Sequence, residues 1–323
     1  MKFGKNRLES KYLAIQCLHE KKQWSINWMC QKVGISRASY YKWLHHEIPK
    51  QELENIKLAE LIKEYDERFN HILGYRRMTS WINHFNHTNY RQKRVHRIMK
   101  KLGIHSVIRK KKKKKKYSSS VPATIAENKL GRDFYSTAPN EKWATDVTEF
   151  KIPGDTKKLY LSAILDLYDR YPVAYVLGTR NNNQLVFKTF DKAIAANPGA
   201  KPLFHSDRGF QYTSKAFQRK LEILEMEQSM SRVGRCIDNG PTEGFWGIIK
   251  SEMYQMYDIT DEASLRYAIH DYMRFYSEER PQDRYHCKTP LEVRNEALTS
   301  DIPTQYPIAE NKRIKKYKSK WVA

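Results

Sequence analysis

Three carboxylates stand where a carboxylate is costly or has a competing structural use. Asp146 lies in WATDVTEF, an alternating apolar stretch that reads as a strand. A carboxylate inside a sheet costs several kcal/mol unless it is paired or metal-bound. The alternative is that Asp146 faces water on an open sheet face. Asp207 lies in HSDRGFQY, between apolar residues 202–204 and a helix-like TSKAFQRKLEIL. Aspartate at such a junction usually caps or turns, yet the strand ends of α/β sheets are also where ligands gather. Glu243 lies in RCIDNGPTEGFWGIIKSEMY, in the first turn of a helix opened by Pro241, where the helix dipole already favours an acid.

Sixty residues separate Asp146 from Asp207, and 35 separate Asp207 from Glu243. If the three converge, they form an all-oxygen site for two Mg²⁺ or Mn²⁺ ions. Two such ions roughly 3.5–4 Å apart clamp the attacking and leaving oxygens of a phosphodiester. Lys250, seven residues beyond Glu243, falls on the same helix face about 10.5 Å along the axis. The rival carboxylates have structural readings. Asp166 and Asp169 terminate a strand, and Asp238, or Asn239 beside it, caps the helix. His205 reads as a hydrogen-bonded neighbour rather than a ligand, because the site favours oxygen donors. Gly209 lets the backbone turn beside the metal or DNA.

The elements that must position these residues begin near Asn140. EKWATDVTEFKI and KLYLSAILDLYD are strands joined by the turn PGDTK, and PVAYVLG is a third strand. A helix, NNQLVFKTFDKAIAAN, precedes the short strand PLFHS. Another helix and a strand around EQSMS follow. The order predicts a mixed five-stranded α/β sheet with helices packed against it.

The rest of the chain is basic. With 59 Lys+Arg against 36 Asp+Glu the net charge is +23, which points to a polyanionic partner through counterion release. No apolar run reaches the roughly 20 residues of a spanning helix, and MKFGKNRLESKYL lacks the apolar core of a secretory signal. Cys17, Cys30, Cys236 and Cys287 are too scattered for a disulfide framework or a CxxC knuckle. The expectation is a cytoplasmic, nucleoid-associated protein.

Residues 1–47 read as a helix-turn-helix that bends at Gly34, is capped by Ser36, and offers Arg37, Tyr41 and Lys42 to DNA. Residues 48–104 read as a second helical, helix-turn-helix-like domain with Arg76 and Arg77 on its basic side. Residues 105–139 read as a basic linker, in which Arg109, Lys110, Lys111 and Lys112 open a run of eight cations that tracks phosphates without reading sequence. Residues 140–297 form the α/β core, and 298–323 a basic tail. A plain helical hairpin with a solvated charged face is the competing reading of the two N-terminal units.

WATDVTEF, HSDRGFQY, DNGPTEGFWGIIKSE and YSEERPQDRYHCKTPLE, with SRASYYKWL and GYRRMTSWINHF upstream, carry a family likeness. The chain resembles the DDE transposases and retroviral-type integrases, specifically the downstream-frame product of the insertion-sequence-three family of bacterial transposases, over roughly residues 10–297. The resemblance implies an RNase H-like core with Asp146, Asp207 and Glu243 as the catalytic, metal-binding triad. It implies Lys250, Arg208 and Arg280 as DNA contacts. It also implies Mg²⁺- or Mn²⁺-dependent cleavage at terminal inverted repeats, followed by attack of the freed 3′-hydroxyl on target DNA, with no covalent protein–DNA intermediate. The family's C-terminal motif has Asn and His where this chain has Ser277 and Gln282, and often Ala and Phe where it has Gly240 and Trp246. The His-His-Cys-Cys spacing of retroviral zinc domains is absent. The resemblance further implies a homo-oligomer on DNA; with no sustained heptad repeat here, an upstream-frame protein or fusion is one expectation and a self-sufficient transposase the other. Two other classes remain beside it. One is an RNase H-like structure-specific nuclease that cuts without joining; the other is a non-catalytic DNA-binding regulator.

Overall fold

The computed structural model describes residues 8–45, 49–108, 126–232 and 236–308. The Arg109–Lys112 expectation and the basic tail segment NKRIKKYKSKW lie outside them. The chain divides into two compact units, Met1–Ile82 with Asn89–His105, and Asn83–Thr88 with Ser106–Ala323.

The first unit is all helical. α1 (Glu9–Lys22), α2 (Ile26–Val33) and α3 (Arg37–Leu44) bury Tyr12, Ile15, Met29, Cys30 and Tyr40 among them. Gly34, at φ 69°, ends α2 in the left-handed conformation that costs glycine least. The Ser36 hydroxyl caps α3 by accepting from the Ser39 amide at 3.1 Å. These are the bend and the cap that the sequence predicts. α4 (Lys50–Arg68), α5 (Tyr75–Phe85) and α6 (Gln92–Leu102) follow. Leu58 and Ile62 from α4, Met78 and Trp81 from α5, and Val95, Ile98 and Met99 from α6 are all buried. Arg94 of α6 reaches Glu54 and Asn55 of α4 at 3.1 and 2.9 Å.

The second unit is built on a five-stranded sheet in the order β3-β2-β1-β4-β5. The strands are β1 (Lys142–Lys151), β2 (Lys158–Asp166), β3 (Pro172–Gly178), β4 (Leu203–Ser206) and β5 (Gln228–Met230). β1, β2 and β3 form an antiparallel meander, whereas β4 and β5 run parallel to β1. α7 (Asn183–Ala196) crosses from β3 to β4, and α8 (Lys215–Ile223) from β4 to β5. α9 (Gly240–Met256), α10 (Glu262–Glu278) and α11 (Pro290–Thr299) complete the unit. Trp143, Phe190, Phe204, Phe217 and Tyr212 fill the core between sheet and helices.

The core extends past both expected boundaries. Within the expected linker, Leu130 packs against Ala144 and Leu167, and its amide donates to Ser229 Oγ at 3.0 Å. Within the expected tail, Tyr306 is buried against Tyr168 and Tyr285. Asp166 does end β2, and Asp169 follows in the turn. Both are fully buried, and Arg294 of α11 bonds to them at 3.1 and 3.0 Å. They are thus also the anchor for a helix more than a hundred residues downstream.

Candidate active site

The parallel register between β1 and β4 pairs Trp143 with Phe204 and Ala144 with His205. Asp146 stands two residues further along β1, and Asp207 follows the last residue of β4. Side chains alternate faces along a strand, so Asp146 shares a face of β1 with Ala144, while Asp207 opens the turn that leaves β4. The third carboxylate arrives on α9. Pro241 occupies the first turn of that helix, and Glu243 follows within it.

α9 lies along β1 as a series of rungs. Trp246 Nε1 donates to Asp146 Oδ2 at 3.0 Å, Lys250 Nζ donates to Thr148 Oγ1 at 2.6 Å, and Tyr254 Oη donates to the Lys151 carbonyl at 2.7 Å. Two strand steps of about 3.3 Å nearly equal four helical steps of about 1.5 Å. That match lets positions 246 and 250 meet positions 146 and 148. Glu243, three residues before Trp246, therefore rides on the helix face turned toward β1.

Electrostatics tie the carboxylates together. Burial pushes the Asp146 carboxyl up to about 7, and the Asp207 charge adds to the rise. The Val147 amide and the Trp246 indole oppose it, and Glu243 makes the smallest contribution. Burial also raises Asp207, partly offset by the Gly209 amide that donates to its Oδ1 at 2.9 Å, and it raises Glu243. Asp146 and Asp207 are half-buried, whereas Glu243 is exposed. Among the described residues no three His, Cys, Asp or Glu side chains are gathered closely enough to hold a metal ion. The donor chemistry suits a hard divalent cation, since buried carboxylates that repel one another are what such an ion neutralises.

His205 is a hydrogen-bonded neighbour, as its sequence context suggests. Its Nδ1 lies 2.9 Å from Ser229 Oγ and its Nε2 3.0 Å from the Asp238 carbonyl. The carbonyl can only accept, so Nε2 carries the proton. Burial lowers the ring to about 4, which keeps it neutral at physiological pH.

The structure corrects the reading of Asp238, which caps nothing. The α9 N-cap position belongs to Asn239, whose side chain makes no cap bond and whose Nδ2 instead donates to the Thr145 carbonyl at 3.3 Å. Asp238 is fully buried and accepts from Arg132 at 2.5 Å, Arg232 at 2.8 Å and Asn128 at 3.0 Å. Burial alone would raise its carboxyl, but the Arg232 and Arg132 guanidiniums hold it well below the usual carboxylate range. Arg280 is corrected too. It is 6% exposed and forks onto Glu252 with two bonds of 2.9 Å, so its guanidinium serves the core and not a DNA surface.

The other expected DNA contacts are variously placed. Arg37, Tyr41 and Lys42 are exposed on α3. Arg76 is exposed on α5, while Arg77 is half-buried and donates to the Ile72 carbonyl at 3.0 Å. Arg208 is half-buried, with Nε donating to the Ser231 carbonyl at 2.7 Å. Lys250 Nζ lies 5.4 Å from the centre of the Phe150 ring. Sequence reasoning missed Trp246 as a donor to Asp146, although its departure from the family's Phe marked the position. Arg294 and Arg132 carried no local signal.

Two integrase core domain models match residues 136–236 and 224–290, and an HTH-like domain model matches residues 52–112. The InsK protein of insertion sequence element IS150 from Escherichia coli (strain K12) is 34% identical over 286 residues, covering 87% of this chain and 98% of that protein. An uncharacterized transposase-like protein of Haemophilus influenzae is 39% identical over 206 residues, covering 64% and 94%. The transposase InsF for insertion sequence IS3A of Escherichia coli (strain K12) is 25% identical over 272 residues, covering 81% and 90%. The chain belongs to the DDE transposases of insertion sequences, in the insertion-sequence-three family, with an integrase-type core.

Proposed function

We propose that this transposase binds the terminal inverted repeats of its element, cleaves a strand at each end, and joins the ends to target DNA. The observation that supports the reading is the charge of Asp207, just beyond β4, acting on Asp146 of the neighbouring β1, with Glu243 of α9 acting on it more weakly. Asp146, Asp207 and Glu243 are the residues that would hold Mg²⁺ or Mn²⁺, two ions for the full reaction. When bound, the metal activates the attacking oxygen and neutralises charge on the leaving one.

Cleavage adds water across one phosphodiester and leaves a 3′-hydroxyl. In the joining step that hydroxyl attacks a target phosphodiester, forming one P–O bond as another breaks, so no energy source is consumed. The protein's own part is to hold the three carboxylates, orient the strand and shield the site from bulk water. Arg37, Tyr41 and Lys42 on α3 and Arg76 on α5 carry the basic surfaces for duplex binding, with Arg109, Lys110, Lys111 and Lys112 adding phosphate contacts. Lys250 and Arg208 flank the carboxylates. The assembly is a homo-oligomer on DNA, working with an upstream-frame protein or as a fusion to one. No described helix is long and apolar enough to cross a membrane, and the working compartment we propose is the cytoplasm, at the nucleoid.

Asp146→Asn, Asp207→Asn and Glu243→Gln each test the reading. Every one should abolish cleavage of end-containing duplex in Mg²⁺ while end binding persists. Wild-type strand transfer by any of them defeats the triad assignment. Joined donor–target products separate a transposase from a structure-specific nuclease, which only cuts, and binding indifferent to Mg²⁺ with no cleavage at all would mark a regulator.

A further inference from the structure

The turn after Asp207 presents one side chain that the fold does not use. Gly209 donates its amide to Asp207 Oδ1 at 2.9 Å, and its carbonyl accepts from the Tyr212 amide at 3.0 Å. A Cβ at Gly209 would stand 2.8 Å from Gln211 Oε1 and 3.0 Å from Asp207 Oδ1, so a side chain there would have to displace the Gln211 amide and crowd the Asp207 carboxylate. Arg208 is tied to the Ser231 carbonyl, Gln211 is 3% exposed and bonded to Asn181, and Tyr212 is buried with its hydroxyl on Thr145. Phe210 alone points outward. It is 58% exposed.

Single exposed apolar residues are ordinary on protein surfaces. Phe210 differs in its mount, because every neighbour from 207 to 212 is pinned, and the ring stands three residues from a catalytic carboxylate. An aromatic side chain has only two torsions to fix, so it loses little entropy when a flat partner covers it. Given the chain's +23 charge, the flat partner that arrives at this site is a nucleobase.

We propose that Phe210 is a stacking platform for an unpaired base at the end of the DNA being cleaved. This rests on the DNA-end chemistry proposed above. A phosphodiester must leave the regular duplex to reach half-buried carboxylates. Unstacking the adjoining base costs a few kcal/mol, which an aromatic face repays in part. Stacking tolerates any base, since each has a π-face, so Phe210 sets how readily an end opens rather than which sequence is chosen.

The test is a cycle between ring and base, using the full chain, Mg²⁺ and a duplex copied from the ends of the element that carries the gene. Phe210→Ala should slow end cleavage about 5- to 100-fold, the range that one base–aromatic stack supplies. Phe210→Trp should retain most of the rate, and circular dichroism should show both variants folded. Abasic nucleotides are then placed singly along the terminal positions. At one of them the wild-type-to-Phe210→Ala ratio should fall to about one, because no base remains to stack. A ratio that stays the same at every abasic position, or a Phe210→Ala rate equal to wild type on intact ends, overturns the stacking role. Absence of cleavage by the wild-type chain would instead overturn the function on which it rests.

Discussion

Trp246 Nε1 donates to Asp146 Oδ2 at 3.0 Å, which pins the helix carrying Glu243 to the strand carrying the first aspartate. The bond also orients the Asp146 carboxylate, leaving its remaining lone pairs for a cation. Partners of this kind tune metal affinity without touching the metal.

Trp246→Phe removes the donor and keeps an aromatic ring, so the protein should fold with a stability loss of about 1–2 kcal/mol. Mn²⁺ affinity, read by calorimetric titration of the metal alone, should weaken about 10-fold. Unchanged affinity would show that the indole only packs.

The elevated Asp146 carboxyl predicts an uncommon pH dependence for the metal-free protein. Its folded value is about 7 against an ordinary 3.8, so between those limits the folded state holds more protons than the unfolded one. Stability should therefore fall as pH rises from about 4 to 7. Asp146→Asn, which cannot ionise, should lose that slope. Denaturant unfolding at pH 5 and pH 8 with chelator present measures the difference between the two proteins, expected at about 2–4 kcal/mol. His205 works in the opposite direction, since burial lowers it to about 4. It contributes equally to both proteins, so the comparison isolates Asp146.

Arg294 is the sole cation bonded to Asp166 and Asp169 among the described residues, and it also donates to Asn140 and Asn197. Arg294→Met strands two buried carboxylates and should cost about 3–5 kcal/mol in chemical denaturation. Adding Asp166→Asn and Asp169→Asn should recover part of the loss. A triple variant no more stable than Arg294→Met would mean that the charges are not the cause.

Arg280 and Lys42 separate structural from DNA-binding cations. Arg280→Met leaves Glu252 buried without its ion partner and should lower stability by about 3–5 kcal/mol, with little change in the salt dependence of DNA binding. Lys42→Ala, on an exposed face, should leave the melting temperature unchanged and reduce the slope of log affinity against log salt by about 0.9. A melting loss for Lys42→Ala, or an unaltered slope, contradicts its placement against phosphate.

Much of this site was legible in the residues. The five strands, the helix opened by Pro241, the Gly34 bend and the Ser36 cap follow from alternation, turn chemistry and capping, all local properties of neighbouring residues. The three carboxylates were visible because each stood in a setting where a charged group needs a reason, and because the motifs around them matched a family. What tertiary structure alone decided is how distant segments meet. Nothing near Asp238 announces Arg132, and nothing near Asp166 announces Arg294, because an ion pair across a hundred residues leaves no local periodicity. Arg280 sits in a motif that suggested DNA, yet burial gave it to Glu252. The match of two strand steps to four helical steps, which sets Trp246 on Asp146, exists only once α9 lies along β1. Local chemistry therefore marked which residues could act, and the packing of segments far apart in the chain decided which partners each of them meets.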